Sequence, residues 1–374
     1  MLLSKWLHKQ TLGQTQQRAE RRPVNGLVAY HRTGMVLNKV SIKDISSSGL
    51  YLLTSERWMP GELVTLTLQR EGPPERDLEK RAAVQARSVW WGDDGIGLDF
   101  ILNEDIGFDL WEGPLNATAG EPEPEDIIRE FRIAEALTFL GKLCPSKIKE
   151  LTYLFRKEFS PSRVMTAAEI SLEAGRTLTF RPDADQLRVH PDVMMRLMEF
   201  GSWAEDERLR RFWSGLLIAS CTIGEENATD ANLAMIDPLS QLSVKHVLIL
   251  TAACTRATLS LAPDGSVVAE QCTSPMELIT QITGTRDVTK NDRDLGHLYL
   301  QGFLDQRKRA LALLPVDEAN LTPTSLGLEF YARCKGHTGP IKEFYGLPLA
   351  PELASAEPET SSPDVQESAP PAGS

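Results

Sequence analysis

Cysteine is scarce in this sequence of 374 residues: Cys144, Cys221, Cys254, Cys272 and Cys334 are odd in number, scattered, and nowhere in Cys-x-x-Cys spacing. That excludes a disulfide framework and a thiolate zinc site, and predicts reduced, mostly buried thiols in a cytoplasmic protein. The six histidines form no His-x-x-x-His pair. No stretch approaches the ~18 apolar residues of a membrane span, and the start has no apolar region of signal-peptide length. A Gly-x-x-x-x-Gly-Lys phosphate loop and a Gly-x-Ser-x-Gly nucleophile turn are both missing. Positive charge is in deficit, with 40 Lys and Arg against 52 Asp and Glu. A net charge of -12 argues against a general nucleic-acid binder, whose affinity comes from clustered cations releasing counterions. It leaves room for a small anionic nucleotide in a local pocket.

What is present is an ordinary globular composition, 41% hydrophobic and 25% charged, at a length that allows two or three domains. Residues 1–17 read as an arm, with Leu2, Leu3, Trp6 and Leu7 forming a short amphipathic start that is expected to pack on the protein itself. From Val24 to Ile101, short runs of Val, Leu, Ile, Thr and aromatics alternate with turn signals at Gly34, Ser46 to Gly49, Pro60-Gly61, Gly72-Pro73-Pro74 and Asp93-Asp94-Gly95, the rhythm of a small barrel. A capping helix is expected at Glu104 to Trp111. Residues 113–125 change to Pro, Gly, Ala and Glu and read as a linker. The tail, 348–374, carries five acidic residues and no Lys or Arg, and reads as disordered.

Two motifs near the start carry chemistry. Arg18-Ala19-Glu20-Arg21-Arg22 places two guanidinium groups, Arg18 and Arg22, just ahead of a strand-like run. Asp44-Ile45-Ser46-Ser47-Ser48-Gly49 follows at a strand end. Paired arginines hold phosphates bidentately and can stack on a purine or donate to guanine O6 and N7. Asp44 can accept from guanine N1 or N2 hydrogens, and Ser46 can donate and accept. Gly49 is expected to turn with φ > 0 and let the backbone approach a ligand. Arg21 is a further cation that the motif does not need. Taken alone, each motif describes a solvated helix face or an ordinary Asx turn; in this order and spacing they describe a site.

The pair, with the strands around it, resembles the PilZ family over residues 16–112. The resemblance extends to Pro23-Val24, the strand Gly26 to His31, Lys39 to Ile45, Leu50 to Leu53, Pro60-Gly61-Glu62 with Leu63 to Leu68, Ala82 to Trp91 and Gly95 to Phe100. It implies a six-stranded antiparallel β-barrel that binds cyclic di-GMP, with Arg18, Arg22, Asp44, Ser46 and Gly49 touching the nucleotide and no other cofactor or metal. Glu135-Ala136-Leu137 spells the signature of cyclic di-GMP phosphodiesterases, but the carboxylates of a two-metal site are missing and the tripeptide continues a helical pattern. No enzyme is expected.

From Asp126 the period becomes helical. Ile127, Ile128, Phe131, Ile133, Ala134, Leu137 and Leu140 fall on one broad face. Further helices are expected at Ser146 to Phe159, Arg163 to Ala174, Pro191 to Phe200, Glu205 to Cys221, Asp230 to Leu239, Val244 to Cys254 and Ser325 to Cys334. A hairpin near Leu311 to Leu321 would make a winged-helix element. Arg211-Phe212-Trp213-Ser214-Gly215-Leu216-Leu217, Ile236 to Leu250 and Leu321-Thr322-Pro323-Thr324 to Cys334 resemble an Abi-alpha type of helical domain known from phage-defence contexts, although helices packing Trp and Leu explain each stretch equally well. His190 and the cluster around Asp287 read as helix starts. The expectation is a receptor whose helical domain, 126–347, passes the signal to a protein partner. The alternatives are a barrel that interacts with proteins without ligand, a nucleotide-regulated phage-defence effector, and a transcription regulator. Residues 126–347 carry 26 basic and 29 acidic side chains, which weighs against the last.

Overall fold

The computed structural model describes residues 21–101, 123–223, 229–306 and 318–347. Arg18 and the 1–17 arm, the helix expected at Glu104 to Trp111, most of the 113–125 linker and the 348–374 tail lie outside the described residues.

Alternating apolar and polar positions fold the first part into strands Arg22–Pro23 (β1), Leu27–Thr33 (β2), Val36–Ile45 (β3), Gly49–Leu53 (β4), Leu63–Arg70 (β5), Arg81–Trp91 (β6) and Gly95–Phe100 (β7). All pairings are antiparallel in the order β3-β2-β5-β6-β7-β4, and β4 closes on β3. The result is a closed six-stranded barrel, with β1 laid on the end of β3 beyond β2. The period of two is clearest in β6, where Ala82, Val84, Ala86 and Ser88 are buried and the residues between them face out. Closure leaves no free edge, and the inward side chains, among them Ile42, Leu50, Leu52, Leu66, Leu68, Ile96 and Leu98, fill the interior. The expected Pro60-Gly61 turn is present, with Gly61 at φ 93°.

Eleven helices follow among the described residues: Pro124–Leu143 (α1), Ile148–Tyr153 (α2), Pro161–Leu178 (α3), Pro191–Gly201 (α4), Glu207–Ala219 (α5), Thr229–Ser240 (α6), Val244–Arg256 (α7), Met276–Thr283 (α8), Val288–Leu300 (α9), Ser325–Cys334 (α10) and Ile341–Phe344 (α11). No described helix is long and apolar enough to cross a membrane. Local chemistry sets the helix starts. His190 Nδ1 accepts from the Asp192 amide at 3.3 Å, and Asp287 caps α9 through the Thr289 and Lys290 amides. In α5, a Cβ at Gly215 would collide with the Cys334 carbonyl, so glycine lets this helix lie against the end of α10.

One sequence expectation needs correcting, and a second lies largely outside the described residues. The apolar residues of α1 do not form one face toward one core: Ile127, Ile128 and Phe131 complete the barrel interior, whereas Ile133, Ala136, Leu137, Leu140 and Leu143 join the helical core. One helix is therefore shared by both parts, and Phe131 meets Phe100 edge to face at 4.9 Å between ring centroids. The hairpin near Leu311 to Leu321 falls largely outside the described residues. Its described end, Glu318–Asn320, pairs with Thr273–Pro275, an earlier segment.

The α7–α9 contact contains a titratable cap. Ser243 Oγ accepts from the His246 amide at 3.4 Å, and His246 Nδ1 accepts from the Ser243 amide at 3.0 Å. This reciprocal cap requires a neutral imidazole. The His297 ring stacks on His246 at 4.5 Å, and Asp294 Oδ1 lies 3.4 Å from His246 Nε2. Burial and the neighbouring His297 outweigh Asp294 and push the His246 pKa below its ordinary value of 6.5. A histidine with a depressed folded pKa binds fewer protons folded than unfolded, so stability holds above pH 6.5 and falls as the pH drops from there through the folded pKa. His246→Gln keeps an acceptor for the cap and removes the titration. Thermal unfolding between pH 5 and 7.5 should show a shallower acid loss for this variant; equal slopes would remove His246 as the cause.

Candidate functional site

The turn after β3 is built by its own side chains. The Ser46 amide donates to the Gly49 carbonyl at 2.7 Å, and Ser46 Oγ accepts from the Gly49 amide at 3.2 Å. Ser46 Oγ also donates to the Gly49 carbonyl at 3.1 Å and lies 3.3 Å from Ser48 Oγ. With Ser46 only 1% exposed, its hydroxyl serves the turn. Gly49 differs from the reason first given for it. It is not among the glycines with positive φ; it opens β4, and a Cβ there would run into the Leu98 carbonyl across the ladder. Glycine is needed because the β4 and β7 backbones come together, which fixes the turn against the barrel.

Asp44 projects outward from β3, and strand pairing decides its neighbours. Pro23 is paired with Asp44 and Arg22 with Ile45, a core residue. Since successive side chains alternate faces, Arg21 and Pro23 share the Asp44 face and Arg22 turns toward the Ile45 face. Accordingly Arg21 Nη1 donates to Asp44 Oδ1 at 2.8 Å, with the two side chains 34% and 26% exposed. The structure thus brings Arg21, the cation set aside in the motif, onto the aspartate. Arg22 sits on β1 two residues from Val24 of the barrel core, and Arg18 lies outside the described residues.

Across the sheet, Asp44 is paired with Tyr51, Tyr51 with Gly97, and Gly97 with Trp90. A Cβ at Gly97 would overlap the Trp90 indole, so glycine allows that ring to lie flat on the barrel, 5.1 Å from the Tyr51 ring. Tyr51 Oη donates to Asp94 Oδ1 at 2.7 Å, and Lys43 Nζ donates to Asp94 Oδ2 at 2.8 Å. Burial, followed by the Asp94 bond, pushes the Tyr51 pKa up to about 12, so its proton stays on. The bonds from Lys43 and Tyr51 hold the Asp94 carboxyl below the usual carboxylate range. Lys43 occupies an irregularity in the β3–β4 register between Ile42 and Asp44, which puts a cation and an anion side by side on the outer face.

The surface around Asp44 therefore offers an acceptor for N–H groups, a lysine, the Arg21 guanidinium and an aromatic shelf, while Arg22 is carried on β1 toward the Ile45 face. These are the groups that an anionic purine ligand requires. Tyr51, Lys43 and Trp90 were not singled out from sequence; the signal for them was the alternation of β3 and β4 together with Gly97, which becomes readable only once the register is known.

Residues 15–108 match the family model for the PilZ domain, and the described part of that range is the closed barrel. No curated protein matches the chain.

Proposed function

We propose that the PilZ domain at residues 15–108 makes this chain a cyclic di-GMP receptor, in which Arg18 and Arg22 take the phosphates and Asp44 takes a guanine edge. The domain family is one of cyclic di-GMP binding modules rather than enzymes. The observation that carries the reading is the β1–β3 pairing, which lays the arginine-bearing segment directly on the strand of Asp44. Ligand would fix that segment through charge-assisted hydrogen bonds, each worth about 1.5–3 kcal/mol, and so would order the arm that precedes it. The helical region is the output, because α1 is embedded in both cores and any strain at the barrel reaches α3 through it. A protein partner would read that surface.

Calorimetric titration of cyclic di-GMP into the full-length protein and into the Arg18→Ala, Arg22→Ala double variant tests this. Saturable binding near the micromolar range, about 8 kcal/mol, is expected for the first and none for the second. Absence of heat with the unaltered chain well above that concentration would remove the receptor reading and leave the barrel as a protein-interaction module.

A further inference from the structure

A cleft of about 1090 Å³ lies between the segment that joins β5 to β6 and the first turns of α1, with Met165 of α3 in its wall. Neither Arg22 nor Asp44, Ser46 or Gly49 lines it. Hydrogen bonds set its shape. Gln69, 4% exposed, donates from Nε2 to the Pro73 carbonyl and accepts at Oε1 from the Glu75 amide, each at 2.9 Å, and Tyr30 Oη donates to the Gly72 carbonyl at 2.9 Å. The concavity is thus preformed, and its size is near the upper end of small-molecule sites, roughly 300–1,000 Å³.

Charge sorts the lining. The four carboxylates are already engaged: Glu71 with Lys39 at 3.1 Å, Glu79 with Arg210 at 3.4 Å, Glu125 with Arg70 at 3.0 Å, and Glu75 with the Asp77 amide at 3.0 Å. Among the cations, Lys80 and Arg129 hold Asp77 and Asp126. Two arginines are left over. Arg76 has no ion pair among the described residues. Arg132, with its side chain 2% exposed, uses Nη1 on the Leu78 carbonyl, whereas Nε has no partner and Nη2 is 3.9 Å from Glu169. A buried guanidinium with so little hydrogen bonding is costly and calls for an explanation. Its unfilled Nε–Nη2 edge is the fork that takes a carboxylate or phosphate bidentately. Pro73, Pro74, Ile128 and Met165 supply an apolar wall to the same cleft.

We propose that this cleft is a second binding site, for a small organic oxyanion: a phosphate or carboxylate held by Arg132 and Arg76, on an apolar body that rests against Pro73, Pro74, Ile128 and Met165. The ligand supplies the acceptors that Arg132 lacks where barrel and helices meet. The proposal does not rest on the receptor reading.

Titration of phenyl phosphate, and separately of phenylacetate, into the full-length protein tests it, with the methyl resonance of Met165 as the local reporter. A saturable shift with a dissociation constant near millimolar is expected for at least one of the two, and the tighter one identifies the headgroup. Arg132→Met is expected to weaken it about tenfold or more, and Arg76→Ala, at an exposed cation, up to about fivefold. The Arg18→Ala, Arg22→Ala variant is expected to bind both probes as the unaltered chain does; loss there would assign the shift to the nucleotide site and overturn the proposal. No saturable shift up to about 50 mM of either probe overturns it, as does equal saturation by uncharged phenol or undiminished affinity in Arg132→Met. If Arg132→Met does not fold, Arg76→Ala decides, and unchanged affinity in that variant overturns the proposal.

Discussion

Replacing Arg132 with alanine is expected to lower the free energy of unfolding by about 3 kcal/mol, whereas Arg132→Met should change it by no more than about 1 kcal/mol. Arg132 projects from α1, where barrel and helices meet, and its side chain is 2% exposed. Its partners are few for so buried a cation. Nη1 donates to the Leu78 carbonyl at 3.1 Å, Glu169 lies at 3.9 Å, and Nε has no partner. Burial accordingly pushes its pKa down. Glu169 is closer to Arg210, at 3.0 Å, so it keeps a counter-ion when Arg132 is gone. Desolvation of the guanidinium is thus poorly offset, and most of the alanine penalty is the cavity left between the loop ahead of β6 and the helix. Methionine fills that volume without the charge. Denaturant unfolding of both variants decides the matter: a methionine variant as unstable as the alanine one would mean that the ion pair itself stabilises the junction.

The same junction shows which parts of the fold can be read from sequence. The helical period of α1 was plain, but a period says which residues share a face, not what the face meets. Ile127, Ile128 and Phe131 went to the barrel because the helix starts at Pro124 against Gly26 and crosses β6. The barrel itself was legible because its signals are local: alternation within strands, glycine and proline between them, and an Asp-x-Ser-x-x-Gly turn that makes its own hydrogen bonds. Gly49 was recognised for the wrong physical reason, since the carbonyl it must clear belongs to Leu98, which is 49 positions later in the chain and invisible to any local rule. Arg21 was discounted on spacing, although the strand pairing of Pro23 with Asp44 puts it on the aspartate by simple alternation. Register, once given, corrects each of these.

Asp44 is where the proposed function predicts its largest single effect. Asp44→Ala removes the acceptor for guanine N–H groups, and hydrogen bonds to a charged group contribute about 1.5–3 kcal/mol, so affinity for cyclic di-GMP should fall about 10- to 150-fold. Arg21→Ala acts through two opposed effects. It frees Asp44 from a 2.8 Å ion pair that the ligand must displace, and an exposed pair of this kind is worth about 1 kcal/mol at most. It also removes a cation beside the phosphates, an attraction screened over ~8 Å at physiological ionic strength. The two nearly cancel, and the expected change is no more than about fivefold. The contrast, large for the anion and small for the cation it holds, separates a ligand-reading aspartate from one that only anchors β1. If Asp44 served merely to anchor that strand, the two single variants would weaken binding alike, and the double variant would add nothing to either.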